Sequence, residues 1–444
     1  MLIQDTPTGS VIDRIPAKYL TDKRLTIFAI ASFVITHVGL LIYLQLSFIS
    51  GNKIEHDVRL YHDWLQQGLT QNQWVGVQLP WVYPLGAWVP IGIAGLLKVA
   101  NYGFAFYIII TVANLLCTIH LFRYGRKGKI TIVIWMVFNA ILYYFLGTRL
   151  DSFTVPLVIS GMLMFFSQSV FSGSALIALA TWVKVWPAGF ILPALAKNNP
   201  KRKIILVSGI FVTALMAVFA WTRGGFQNFL SFLTEQSSRG VQYEAPIALP
   251  YVILSDMRVP GFRQYFDDIL QTQSVAGPFI NFFSILSNIA MAVLAVVITY
   301  LSYSFSKSKD SDEMLRVIVT TMVAGLILFN KVGSPQYIFW LLAPLLVGYL
   351  LAEKRHQKFW NSIAQALFVI AVAICLQYAT SWNLLALIFR HTALVVLFVL
   401  CLRQIHHLII RRKDVAVATA QAEAARKGTI GEGEHPLILG LKRI

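Results

Sequence analysis

Ten apolar runs, each of a length that lets a helix cross a bilayer, recur near residues 26–47, 103–122, 129–147, 153–170, 203–221, 276–304, 314–331, 336–352, 358–379 and 384–402. A helix needs roughly 20 apolar residues to traverse about 30 Å of hydrocarbon, and none of these runs shows the short alternation of a lipid-facing barrel strand. The repetition therefore predicts an all-α integral membrane protein, a polytopic bundle. With 57% hydrophobic and 13% charged residues, the chain is neither an ordinary soluble domain nor a disordered one.

Charge sets the orientation. The formal net charge of +17 would suit a nucleic-acid partner, but the basic residues are divided among short loops and tails, as the positive-inside rule requires, so no nucleic acid is implied. The first 24 residues are polar, carry Asp5, Asp13 and Asp22, and lead to no small-residue cleavage site, so Leu25–Ile49 reads as a retained span. With residues 1–24 cytoplasmic, the clusters Arg123/Arg126/Lys127/Lys129, Lys197/Lys201/Arg202/Lys203, Lys307/Lys309, Lys354/Arg355 and Arg411/Arg412/Lys413 all fall inside on two conditions. Leu85–Leu97 must stay on one side, as an interfacial or re-entrant helix opened by Pro84 and interrupted by Pro90. The apolar stretch 173–197 must enter and leave on the cytoplasmic side, as two half-helices meeting near Lys184-Val-Trp-Pro187.

These conditions define a membrane domain over 25–402 with outer loops at 50–102 and 223–275, followed by a basic cytoplasmic tail, amphipathic or frayed, over 403–444. Five polar constellations then share the outer side: the loop from Gly51 to Pro84, the turn Thr148-Arg149-Leu-Asp151, the tip at Lys184, the loop from Arg223 to Gln273, and Asn330-Lys331-Val-Gly-Ser334-Pro-Gln336-Tyr337. One external cavity has room for all of them. Cys117, Cys375 and Cys401 lie within apolar runs and read as packing residues, with neither disulfide nor metal-ligand spacing.

Polar groups at a membrane edge are costly unless used. If Asp57 opens a short helix, Tyr61 and Trp64 fall at i+4 and i+7 on its face while Asp63 points away. A carboxylate beside two aromatic rings suits a sugar, accepting a hydroxyl proton while the rings pack on C–H faces; capping of the helix is the plainer role. His56, His62 and Asp63 point apart on a helix and form no metal site. Arg149 and Asp151 either pair structurally or form an anion-binding arginine with its orienting carboxylate. Lys184, inside an apolar run beside a prolyl break, has few roles beyond snorkelling or function, and Arg390-His391 in the last span is a similar oddity. Glu235 to Glu244, with Arg239, Gln242 and Glu244, is dense in groups able to orient a polyhydroxylated ligand. Lys331, Gln336 and Tyr337 form a turn suited to phosphate or sugar.

Absences narrow the classes. Beyond Lys184, Arg390 and His391 the spans hold almost no ionisable groups and no buried Asp or Glu, leaving an ion-coupled transporter little to work with. Phosphate loop, Gly-rich dinucleotide turn and Ser nucleophile elbow are all missing, so any sugar donor has to come from the membrane.

In order along the chain, Asp57, Tyr61, Gly68 and Tyr83-Pro84, then Lys184 to Pro187, Arg239 to Glu244 and Ser334 to Tyr337 resemble glycosyltransferase family 87, from the first span to about residue 350. Leu85 stands where that pattern often has a second proline, and Gly333 where it often has a bulkier residue. The resemblance implies a GT-C fold of about ten to twelve transmembrane helices, with re-entrant or juxtamembrane helices on the outer side. It also implies inverting transfer of a hexose, mannose in that family, from a polyprenyl-phosphate-linked donor to a lipid-linked or cell-envelope glycan at the outer face. Asp57 would be the general base; Arg149, Lys184, Arg239 and Lys331 would receive the donor phosphate; and Tyr61, Trp64, Asp151, Gln242, Glu244, Gln336 and Tyr337 would hold sugar or acceptor. No metal or other cofactor is demanded, and the partners are the lipid-linked donor, a glycolipid or envelope-glycan acceptor and membrane lipids. A lipid-linked-sugar flippase without transferase activity is the rival reading, and an inactive scaffold subunit a third.

Overall fold

The computed structural model describes residues 21–49, 56–98, 101–197, 200–237, 239–268, 272–306, 308, 310–379 and 383–426. In chain order the helices are α1 (Asp22–Ile49), α2 (His56–Gln71), α3 (Trp88–Leu96), α4 (Tyr102–Phe122), α5 (Gly125–Ile141), α6 (Tyr143–Leu146), α7 (Asp151–Phe166), α8 (Val170–Val183), α9 (Ala188–Ala196), α10 (Arg202–Thr222), α11 (Ser231–Ser237), α12 (Leu249–Asp256), α13 (Ile280–Ser304), α14 (Ser311–Leu328), α15 (Ile338–Leu351), α16 (Gln357–Ala379) and α17 (Asn383–Arg426). The N-terminal segment 1–20, the start of the first loop, Lys307, Lys309 and the tail beyond 426 lie outside the described residues, with the expectations attached to them.

The chain is an all-α polytopic membrane protein. Among the described residues six helices are long and apolar enough to cross a bilayer: Asp22–Leu46, Tyr102–Phe122, Arg202–Thr222, Ile280–Ser304, Lys354–Ala379 and Asn383–Lys413. The first, third and fourth turn most of their apolar surface outward, as lipid-facing helices do. The other helices are shorter, and α7, α14 and α15 are buried along most of their length. In α15 every residue from Ile338 to Leu350 is buried, and its 14 residues reach only about 21 Å. A helix too short to span places its polar ends below the membrane surface, where protein must surround them.

The break in 173–197 lies where expected. Pro187 has no N–H to offer the carbonyl of Val183, so α8 ends there, Lys184 is extended (φ −155°, ψ 133°), and α9 restarts at Ala188. The apolar helix Leu85–Leu96 is likewise too short to cross. Pro90 does not interrupt it: a 3-10 turn over Leu85–Ala87 runs into α3, and Pro90 occupies the first turn, where the missing N–H has no intrahelical acceptor in any case. The run 129–147 is divided at Leu142 into α5 and α6. Conversely, α17 continues without a break through residue 402 to Arg426, because the alanine-rich stretch 415–426 is strongly helix-forming.

One element lies outside the helical pattern. The strands β1 (Arg263–Asp267) and β2 (Thr272–Ala276) pair antiparallel with Arg263 opposite Ala276, and the loop before them joins their edge through Val275 N–H to Val241 O (3.1 Å) and Tyr243 N–H to Gln273 O (2.9 Å).

The basic clusters gather at one end of the bundle. Lys129 pairs with Asp22 (2.7 Å), Lys197 with Asp312, Arg355 with Asp310 (2.6 Å), and Lys127 donates to Ala352 O (3.1 Å). At this end Glu313, just outside the span read from the sequence, is buried; Arg316 (2.5 Å) and the Trp360 indole (2.8 Å) donate to its two oxygens. The Asp57 group occupies the opposite end of α14.

Helices α7 and α8 cross through glycines: a Cβ on Gly161 would lie 2.8 Å from the Gly173 carbonyl oxygen. Such small-residue crossings let helices approach closely in lipid. Gly161→Leu is expected to cost about 1–3 kcal/mol by overpacking and to lower the thermal midpoint of the detergent-solubilised protein; an unchanged midpoint would show that the crossing tolerates separation.

Candidate active site

Asp57 lies in the first turn of α2, where a carboxylate is favoured by the helix N-terminus. It does more than cap, because its Oδ2 forms an ion pair with Arg149 from the turn between α6 and α7, and both side chains remain about one-fifth exposed. Tyr61 and Trp64 follow on the same face, their rings 6.0 Å apart. Tyr61 is buried, with Tyr83 and the Leu150 backbone within hydrogen-bonding reach. Trp64 packs edge-on against Trp81 (5.4 Å) and Tyr83 (6.2 Å). Asp63 is exposed, and His62 meets Gln66 (3.1 Å) and the Tyr102 ring. Among the described residues no three His, Cys, Asp or Glu side chains converge.

Asp151 begins α7 and is fully buried. Its Oδ2 accepts from Lys184 Nζ (2.5 Å) and its Oδ1 from Trp340 Nε1 (2.5 Å), so Arg149 and Asp151 pair with different partners. The α8–α9 break thus carries the lysine to the start of α7. Lys184 also lies over the rings of Tyr337 (5.4 Å) and Tyr83 (5.7 Å), and Tyr337, Trp340 and Trp186 form a stacked aromatic floor. Burial, with Asp151 nearby, pushes the Tyr83 phenol up to about 12, against the pull of Arg239, so it stays a neutral hydrogen-bond donor.

Arg239 is in electrostatic reach of Tyr83, Tyr337 and Lys184. Gln242 is buried; its backbone N–H donates to Lys331 O (3.0 Å), joining the two polar loops. Glu244 Oε1 accepts from Tyr378 Oη (2.6 Å) and Gln377 Nε2 (2.9 Å) at the end of α16. Burial pushes the Glu244 carboxyl up, opposed by Arg390, by these two donors and by Arg149. Gln336 is half-buried, while Lys331 Nζ donates to Ser284 of α13 (3.2 Å).

Sequence reasoning left Gln377 and Tyr378 unremarked and could not place Arg390. The structure turns Arg390 inward, away from lipid, where it donates to Gly333 O (2.7 Å) and faces Glu244. A charged residue in an apolar span was the signal available. Gly333 has a steric reason: any Cβ there would meet the Glu244 and Ala245 backbone.

A helical membrane bundle thus holds, at one end, a part-exposed carboxylate beside several cations and aromatic rings, the equipment of an acid–base enzyme acting on a polar, anionic substrate. Residues 81–258 match the model of glycosyltransferase family 87, which bears out the resemblance of the motifs, and the chain is a membrane glycosyltransferase. The match takes in Tyr83, Arg149, Asp151, Lys184, Arg239, Gln242 and Glu244; Asp57, Lys331 and Tyr337 lie beyond it. No curated protein and no solved structure matches the chain.

Proposed function

We propose that the enzyme transfers a hexose, mannose first among candidates, from a polyprenyl-phosphate donor to a lipid-linked or cell-envelope glycan at the outer face of the cell membrane, with inversion, on a GT-C scaffold. The observation that carries this reading is the Asp57–Arg149 ion pair, which sets the accessible carboxylate beside a cation that is itself in electrostatic reach of Lys184, as Arg239 is. The acceptor oxygen attacks the anomeric carbon while its proton passes to Asp57. The bond from that carbon to the phosphate oxygen breaks, and its electron pair leaves on the polyprenyl phosphate, which becomes a dianion.

Arg149, Lys184 and Arg239 stabilise that growing charge; Lys331, held toward α13, is the more remote candidate. Trp64, Glu244, Gln242, Gln336 and Tyr337 line the region for sugar and acceptor. Tyr61 and Asp151, both buried, act through Tyr83 and Lys184. The donor set is rich in cations and needs no metal to receive a phosphate that already bears its sugar.

A donor panel tests the reading. Purified wild type is supplied with radiolabelled polyprenyl-phosphate mannose, polyprenyl-phosphate glucose and a nucleotide-diphosphate mannose, with a membrane lipid extract as acceptor. Label is expected in the lipid product from a polyprenyl-phosphate sugar alone. Transfer from the nucleotide sugar would overturn the donor class, and protein-dependent movement of intact donor across vesicles without product would favour the flippase.

A further inference from the structure

Three carboxylates at this end of the bundle each face a cation. Asp57 pairs with Arg149, Asp151 with Lys184 (2.5 Å), and Glu244 lies opposite Arg390. Arg239 is left over. Among the described residues it forms no ion pair, its Nε is buried without a hydrogen-bond partner, and a second cation, Lys184, is in electrostatic reach. A buried guanidinium donor with no acceptor, beside a like charge, is unfavourable unless an anion completes it.

The surroundings describe that anion. Arg239 shares with Lys184 the same two phenols, Tyr83 and Tyr337, and Lys184 Nζ stands 5.7 and 5.4 Å from their ring centroids. Because Asp151 already balances Lys184, the net charge available between the two phenols belongs to Arg239. One uncompensated positive charge matches a phosphodiester, which bears a single negative charge, and Tyr83 as a neutral phenol donates to a phosphate oxygen. Arg149 also has a buried unpartnered Nε, but its charge is engaged by Asp57.

We infer that Arg239 is the principal seat of the lipid phosphate in the ground state and is what distinguishes a polyprenyl phosphate from the neutral lipid alcohol. This rests on the transferase reading above and singles out one of its cations.

Equilibrium binding to the full-length protein in detergent tests it, read by tryptophan quenching, with citronellyl methyl phosphate, a phosphodiester of one negative charge, and citronellol as probes. Wild type is expected to prefer the phosphate by about tenfold or more at low salt, Arg239→Gln to reduce that preference to about twofold or less, and Arg239→Lys to keep part of it. Citronellol binding should not change in either variant, which reports on folding. Lys203→Gln, at an exposed position on α10 at the far end, should retain the full preference. A tenfold preference surviving in Arg239→Gln would overturn the assignment alone. No preference in wild type would overturn it together with the polyprenyl-phosphate donor. Inorganic phosphate displacing citronellyl methyl phosphate at equal concentration would make this a free-phosphate site and overturn it as well.

Discussion

Asp57→Asn is expected to lower transfer by about 10²–10⁴-fold, the usual contribution of a positioned general base. Asparagine keeps the size of the side chain and can still accept from Arg149, but it cannot take the acceptor proton at neutral pH. The loss should fall on kcat, with donor binding nearly unchanged, because the phosphate is held by cations and not by Asp57. The comparison is single-turnover transfer by wild type and variant of equal thermal midpoint. Activity within a few-fold of wild type would remove Asp57 as the base and leave it as the partner that orients Arg149.

Gly333→Ala is the second large effect. The Gly333 backbone lies against that of Glu244 and Ala245, and the contact is fixed from both sides, by Gln242 N–H to Lys331 O (3.0 Å) and by Arg390 to Gly333 O (2.7 Å). A methyl group there has to force the two loops apart. Displacement on the order of 1 Å in groups that position substrate costs about 10²-fold in rate, so transfer should fall by roughly that factor in a variant that still folds. Wild-type activity in a variant that folds would mean that the loops separate without consequence. The bulkier residue that the family pattern often carries here would require a different path for the loop bearing Glu244.

Much of this end of the molecule was legible in the sequence because the signals are local. Asp57, Tyr61 and Trp64 share a face by helical spacing alone, and Pro187 dictates a break whose consequence is an extended Lys184 backbone. What was not legible depends on partners far apart in the chain. Asp151 reads as a mate for Arg149 two residues earlier, yet the fold gives it Lys184 and Trp340, because α7, α8 and α15 pack together. Gln377 and Tyr378 are ordinary at the end of an apolar helix until Glu244 is brought between α16 and α17. The hairpin escaped because its strands have little apolar alternation and draw their order from the Val241–Tyr243 segment alongside. Glu313 is tolerated in the interior only because Arg316 and Trp360 satisfy it.

The central claim is a single displacement at the anomeric carbon, assisted by one carboxylate, with a lipid phosphate as leaving group. The most direct measurement is the anomeric configuration of the product made by wild type from polyprenyl-phosphate mannose of known configuration, determined by NMR. Inversion, with polyprenyl phosphate released in equal amount, is the predicted result. Retention would require a second displacement through a covalent sugar and would contradict the account.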